Sequence, residues 1–134
     1  MFLNQLETEE KKAFISLVVN AANANGIVED EENQMIEDYC KEMGFPPTDW
    51  KAAKPMDEIL NVFSVSSEQN KKIALLELIG LMYADGDYDG NERRFVKDFA
   101  RNINISEEIE ENIENVLIQY LEVTRKVYET VSNQ

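Results

Sequence analysis

Histidine is absent from the 134 residues, and cysteine occurs once, at Cys40. Without His there is no Ser–His or Cys–His nucleophile pair and no imidazole metal ligand. A single Cys makes no internal disulfide and no thiolate zinc site. Zinc is therefore not expected, nor is haem or a nucleotide. Basic residues are scarce, with 13 Lys and Arg against 27 Asp and Glu, a formal charge of −14. That balance argues against nucleic acid, whose phosphates need Lys and Arg, and against anionic membrane surfaces. The longest apolar run, near residues 78–84, is far too short to span a bilayer. Residues 1–7 carry no basic stretch leading into an apolar one, so no signal peptide is expected and the cytoplasm is the predicted setting. No stretch alternates with period two between turns, so no strand is predicted.

What remains is a chain 43% hydrophobic and 30% charged, the composition of one globular domain spanning residues 1–134. It contains an internal repeat. A shift of 60 residues places Ala24-Asn25-Gly26 on Ala84-Asp85-Gly86, Glu32 on Glu92, and Lys11-Lys12 on Lys71-Lys72. Met35, Ile36, Asp38 and Tyr39 fall on Phe95, Val96, Asp98 and Phe99. The pseudo-repeats cover about 11–45 and 71–105, and two copies are too few for a solenoid.

Each copy reads as helix, loop, helix. The first helix is predicted to start at Thr8, an N-cap residue type, with Glu9 and Glu10 in its first turn. Phe14, Leu17, Val18 and Ala21 share one face, and Gly26 supplies a stop. In the second copy Ser66 is the predicted cap, with Gln69 reaching back to it. The helix from Glu68 to Ala84 is apolar nearly all round, which marks it as central. The second helices are predicted to start near Glu29 and Asp89. Met35, Ile36, Tyr39, Cys40 and Met43 form a core face on one; Phe95, Val96, Phe99 and Ile103 do so on the other. Pro46, Pro47 and Pro55 flank a short helix predicted over Thr48–Ala53. Another is predicted over Asp57–Phe63, with Ile59, Leu60 and Phe63 inward. A last helix is capped by Ser106 and runs through an apolar stripe from Ile109 to Val131. That stripe reads most simply as a wall of the domain, with pairing to another copy of the chain as the alternative. The expected fold is all-α, with about seven helices in a single compact domain.

One segment carries chemistry. Residues 85–92 read Asp-Gly-Asp-Tyr-Asp-Gly-Asn-Glu. Oxygen donors at alternate positions around a glycine turn suit Ca²⁺ or Mg²⁺. Asp85, Asp87, Asp89 and Glu92 are the candidate ligands. The segment is not an EF-hand: Arg93 stands at the ninth loop position and Val96 at the twelfth, where a bidentate Glu is required. Carboxylates about 5 Å apart repel by roughly 3 kcal/mol at an effective dielectric near 20, but by under about 1 kcal/mol in bulk water. A helix N-terminus offsets only about 0.3–1 kcal/mol per acid. A buried cluster therefore calls for a cation, and a solvated one is only a capped turn. The Glu-rich runs 29–32 and 107–111 read as solvated helix starts. Trp50 and the methionines read as packing.

The run from Leu78 through Ala84-Asp85-Gly86 to Glu92, followed by Phe95, Val96 and Phe99, resembles the tellurite-resistance TerB family and its wider TerB-like group. That group's hallmark is an apolar helix ending in Ala-Asp-Gly, five residues, then Glu opening the next helix. The first copy holds a degenerate version at Ala24, Gly26 and Glu32, with Asn25 in place of the acid. The resemblance implies an all-helical fold of about seven helices with pseudo-symmetric halves. It also implies metal-binding acids at Asp85 and Glu92, and a stress-response or tellurite-resistance setting. Asp87 and Asp89 are acids beyond the minimal motif. The expected function is a non-enzymatic acidic module with a divalent-cation site at 85–92. The alternative is a metal-independent domain whose acidic surface meets a basic protein partner. Paired carboxylates also do acid/base work in glycosidases, but these lie in one short loop with no apolar pocket, so an enzyme is not expected.

Overall fold

The computed structural model describes residues 2–25, 29–44, 54–84 and 90–132. After a short 3-10 turn at Leu3–Gln5, six α-helices follow among the described residues. These are α1 (Thr8–Asn25), α2 (Glu29–Met43), α3 (Met56–Ser64), α4 (Glu68–Ala84), α5 (Gly90–Asn102) and α6 (Glu107–Ser132). Among the described residues there is no strand, and the chain is all-α. The helix predicted at Thr48–Ala53, together with Trp50 and Gly26, lies outside them, as do the side chains of Glu29, Glu32 and Met35.

The helices form two units of three. In each, the second helix folds back on the first (α2 on α1, α5 on α4). The third also packs against the first: α3 on α1, α6 on α4. The 60-residue shift relates the cores. Ile36, Cys40 and Met43 are buried, as are Val96, Ala100 and Ile103. Tyr39 meets the Phe14 ring edge-on at 5.3 Å, and its counterpart Phe99 meets Phe63 edge-on at 5.8 Å. The helix ends correspond too. Gly44 at φ 75° and Asn104 at φ 66° are 60 apart and stop α2 and α5 in the left-handed region. Gly and Asn are the residues that reach it at least cost. After α5 the Ile105 N–H reaches back to the Ala100 carbonyl at 2.9 Å and the Asn104 N–H to Arg101 at 3.1 Å.

The halves join where α1 packs on α5 and α3 on α4 and α5, and one side-chain bond links the starts of α1 and α4. Glu10, buried, accepts from the Glu7 N–H at 2.8 Å and from Asn70 Nδ2 at 2.8 Å. Glu10 and Asn70 are equivalent under the repeat, so this bond links matching positions of the two halves. It also revises the cap. The Lys11 N–H donates to the Glu7 carbonyl, so Glu7 is the N-cap of α1 and Thr8 the first helical residue. The α4 cap shifts likewise from Ser66 to Ser67, whose Oγ accepts from the Asn70 N–H at 3.1 Å. Ser66 instead donates to the Val62 carbonyl, and Gln69 donates to Gln5. Ser106 caps α6 as expected, accepting from the Ile109 N–H at 3.2 Å.

Two helices, not one, are central. α4 buries Ile73, Leu75, Leu78, Ile79, Leu81 and Met82. α1 buries Phe14, Ile15, Leu17, Val18 and Val19, more than the single predicted face, because α2, α3 and α5 all pack on it. α6 differs from its predicted role as a wall. Ile109, Ile113 and Leu117 join the core; Tyr120, Val123, Val127, Tyr128 and Val131 are exposed.

Candidate functional site

α4 ends at Ala84 and α5 opens at Gly90. Asp85, Asp87 and Asp89 belong to the five residues between them and lie outside the described ones. Glu92 is described. It stands in the first turn of α5 and is buried. A carboxylate in a helix's first turn is favoured by the positive end of the helix dipole. Its burial follows from its place one turn ahead of Val96, on the face that carries Phe99 and Ala100 inward. Among the described residues no three His, Cys, Asp or Glu side chains come together to hold a metal. The donor set named by the sequence contains only carboxylate oxygens, which fits Ca²⁺ or Mg²⁺ and not zinc.

The α4–α5–α6 junction also holds an ionic cluster that reading the sequence missed. Glu110 and Glu114 are buried on the inner face of α6. Arg93 Nη1 donates to Glu114 Oε1 at 2.6 Å, and the Tyr83 hydroxyl donates to the same oxygen at 3.3 Å. Burial pushes the Tyr83 hydroxyl's pKa up, and the Glu114 charge adds to it. Lys97 Nζ donates to Glu110 Oε2 at 3.1 Å and lies within 4 Å of Glu107 and Glu111. Burial alone would lower the Lys97 pKa, but the bond to Glu110 and the charges of Glu110, Glu111 and Glu107 hold it raised. The run 107–111 is thus not wholly a solvated helix start, since Glu110 is only 1% exposed. The signal was present: residues 110, 113, 114 and 117 share one helical face, and two of them are Ile113 and Leu117.

Burial raises the Glu110 pKa, and Lys97 offsets only part of that. Its Oε1 is buried and accepts no hydrogen bond among the described residues. A carboxyl with a raised folded pKa stabilises the fold fully below its ordinary value, near 4.5, and loses that contribution as pH rises through the folded value. The expected result is that Glu110→Gln gains stability relative to the parent chain as pH rises from 4.5 to 7.5. Urea melts of both proteins at the two pH values check this. A difference that stays constant, or reverses, contradicts it.

No helix among the described residues is long and apolar enough to cross a membrane. No family model, no curated protein and no solved structure matches the chain.

Proposed function

We propose that the chain is a non-enzymatic, acidic helical module of the TerB-like kind, working in the cytoplasm, whose 85–92 segment takes Ca²⁺ or Mg²⁺. Asp85, Asp87, Asp89 and Glu92 are the ligands in this reading. The observation that carries it is the burial of Glu92 at the start of α5. A carboxylate held out of water and close in sequence to three aspartates is an oxygen donor of the kind a hard cation takes. The paired three-helix units support the TerB-like likeness. That likeness in turn suggests a stress-response or tellurite-resistance setting. The bound ion would neutralise the acids and tie the α4–α5 connection to α5.

Binding to the folded state alone raises stability by about 2.7 kcal/mol at an ion concentration 100 times the dissociation constant. Melting of chelator-treated protein with and without millimolar Ca²⁺ tests the reading. A rise of several degrees is expected in the parent chain and no rise in the Asp85→Ala, Glu92→Ala double variant. An unchanged melting temperature in the parent chain would sink it.

The second reading is a metal-independent module that meets a basic protein. The exposed acids Glu37 and Glu42 on α2 and Glu107, Glu108 and Glu111 on α6 favour it. Its mark would be association weakened by salt and indifferent to chelator.

A further inference from the structure

The second half of α6 is an arm. The helix has 26 residues, about 39 Å at 1.5 Å per residue, whereas α4, on which it packs, has 17. Its apolar pattern does not stop where α4 does. Ile113, Leu117, Tyr120, Thr124, Val127 and Val131 alternate at spacings of four and three, the seam of a helix that pairs with another helix. Val116 and Val123 widen the seam on one side; Leu121 and Tyr128 widen it on the other. At its root this face is packed in the core: Leu117 is buried. Further out none of the described residues covers it, and Tyr128 is 70% and Val131 72% exposed. Val116, Tyr120, Val123, Val127, Tyr128 and Val131 are each about half or more exposed, a contiguous apolar face of the kind that marks an interaction site.

Charge selects the partner. The chain as a whole carries −14, yet residues 115–132 hold Glu122 and Glu129 against Arg125 and Lys126, a net of zero. These four sit on the side of the helix away from the seam, and Arg125 bridges both glutamates within the arm. A basic partner would find its attraction elsewhere on the molecule. A neutral apolar stripe is matched by another neutral apolar stripe. We infer that α6 pairs with the α6 of a second copy of this chain, arm against arm.

The same charge sets the direction. Parallel arms would place two strongly acidic bodies side by side. Antiparallel arms set them at opposite ends, more than a Debye length of about 8–10 Å apart. A two-fold axis at Thr124 then brings Tyr120 opposite Tyr128 of the second copy and Leu121 opposite its Val127, all four exposed, a self-complementary match as a two-fold interface requires. It also brings the second arm's end to a groove of about 720 Å³ at the arm's root, lined in part by Phe2, Leu76, Ile113 and Val116. The groove continues the seam, so one helix end can fill it.

Sedimentation equilibrium of the full chain from 1 to 200 μM tests the pairing. A mass of two chains, with association weakened at least 100-fold by Val127→Asp with Val131→Asp, is the expected result. Both substitutions fall on exposed side chains, and circular dichroism checks that helix content is kept. A separate variant, Thr124→Cys, should cross-link to a covalent dimer under mild oxidation, since Cys40 is buried and out of reach. A single-chain mass at every concentration overturns the proposal and leaves the stripe to a different protein. A dimer untouched by the Asp pair, or one that fails to cross-link at position 124, overturns it as well.

Discussion

Phe63→Ala is expected to lower the unfolding free energy by about 3–5 kcal/mol. Phe63 is wholly buried in α3, and its ring meets Phe99 of α5 edge-on at an interplanar angle of 84°. α3 is the shortest of the six described α-helices, nine residues. A helix so short is not stable by itself and holds its shape through the face it buries. Ile59 and Phe63 are its fully buried side chains, so truncating one removes much of the anchor and leaves a cavity between α3 and α5. Against a total stability of about 5–15 kcal/mol that is a large fraction. Phe99→Ala on top of Phe63→Ala should cost less than the sum of the two single changes, by about 0.5–1.5 kcal/mol for the ring pair. Urea denaturation of the four proteins measures this. A Phe63→Ala cost near 1 kcal/mol would mean that α3 is not held as described.

Arg93→Ala is expected to cost about 2–3 kcal/mol, the range for losing a hydrogen bond to a buried charge. Arg93 is itself half-exposed, its side chain 46% accessible against 8% for Glu114. Solvent screening therefore keeps the figure below the loss for a fully buried pair. The penalty falls on Glu114, left with the 3.3 Å contact from Tyr83 in place of the 2.6 Å bond from the guanidinium. The control is Glu114→Gln in the Arg93→Ala background. A neutral amide needs no counter-charge, so most of the loss should return. Denaturant melts of the single and double variants check it. An equal loss with and without Glu114→Gln would show that Arg93 acts through its alkyl packing instead.

Much of the helical layout is legible in the sequence. Ser106 before Glu107 is a cap with acids in the first turn, and the structure has it so. The Cys40 face and the α4 core follow from periodicity alone. The caps of α1 and α4 are each off by one residue for a physical reason. Ser66 and Ser67 are equally good cap types, and only the carbonyl that opens the ladder, that of Ser67, decides between them. The repeat was visible at Gly26 and Gly86, but its clearest backbone mark, Gly44 with Asn104, was not. Two different residue types hide one backbone conformation. Glu110 and Glu114 were hidden by composition: a run rich in Glu reads as solvated until its members are sorted by helical face. The arm is legible only in part: its stripe fits a wall of the domain and, as the alternative, a face that pairs with another copy. Periodicity shows that a face is apolar but not whether a neighbour is long enough to cover it. The comparison of 26 residues with 17 supplies that.

The account turns on whether the acids between α4 and α5 meet an ion. Calorimetric titration of chelator-treated protein with Ca²⁺, and separately with Mg²⁺, tests this most directly. Saturable binding of one ion in the micromolar range, absent from the Asp85→Ala, Glu92→Ala variant, is the predicted result. No heat with either ion, in a chain that melts at the same temperature with and without them, would contradict it and make residues 85–92 a capped turn.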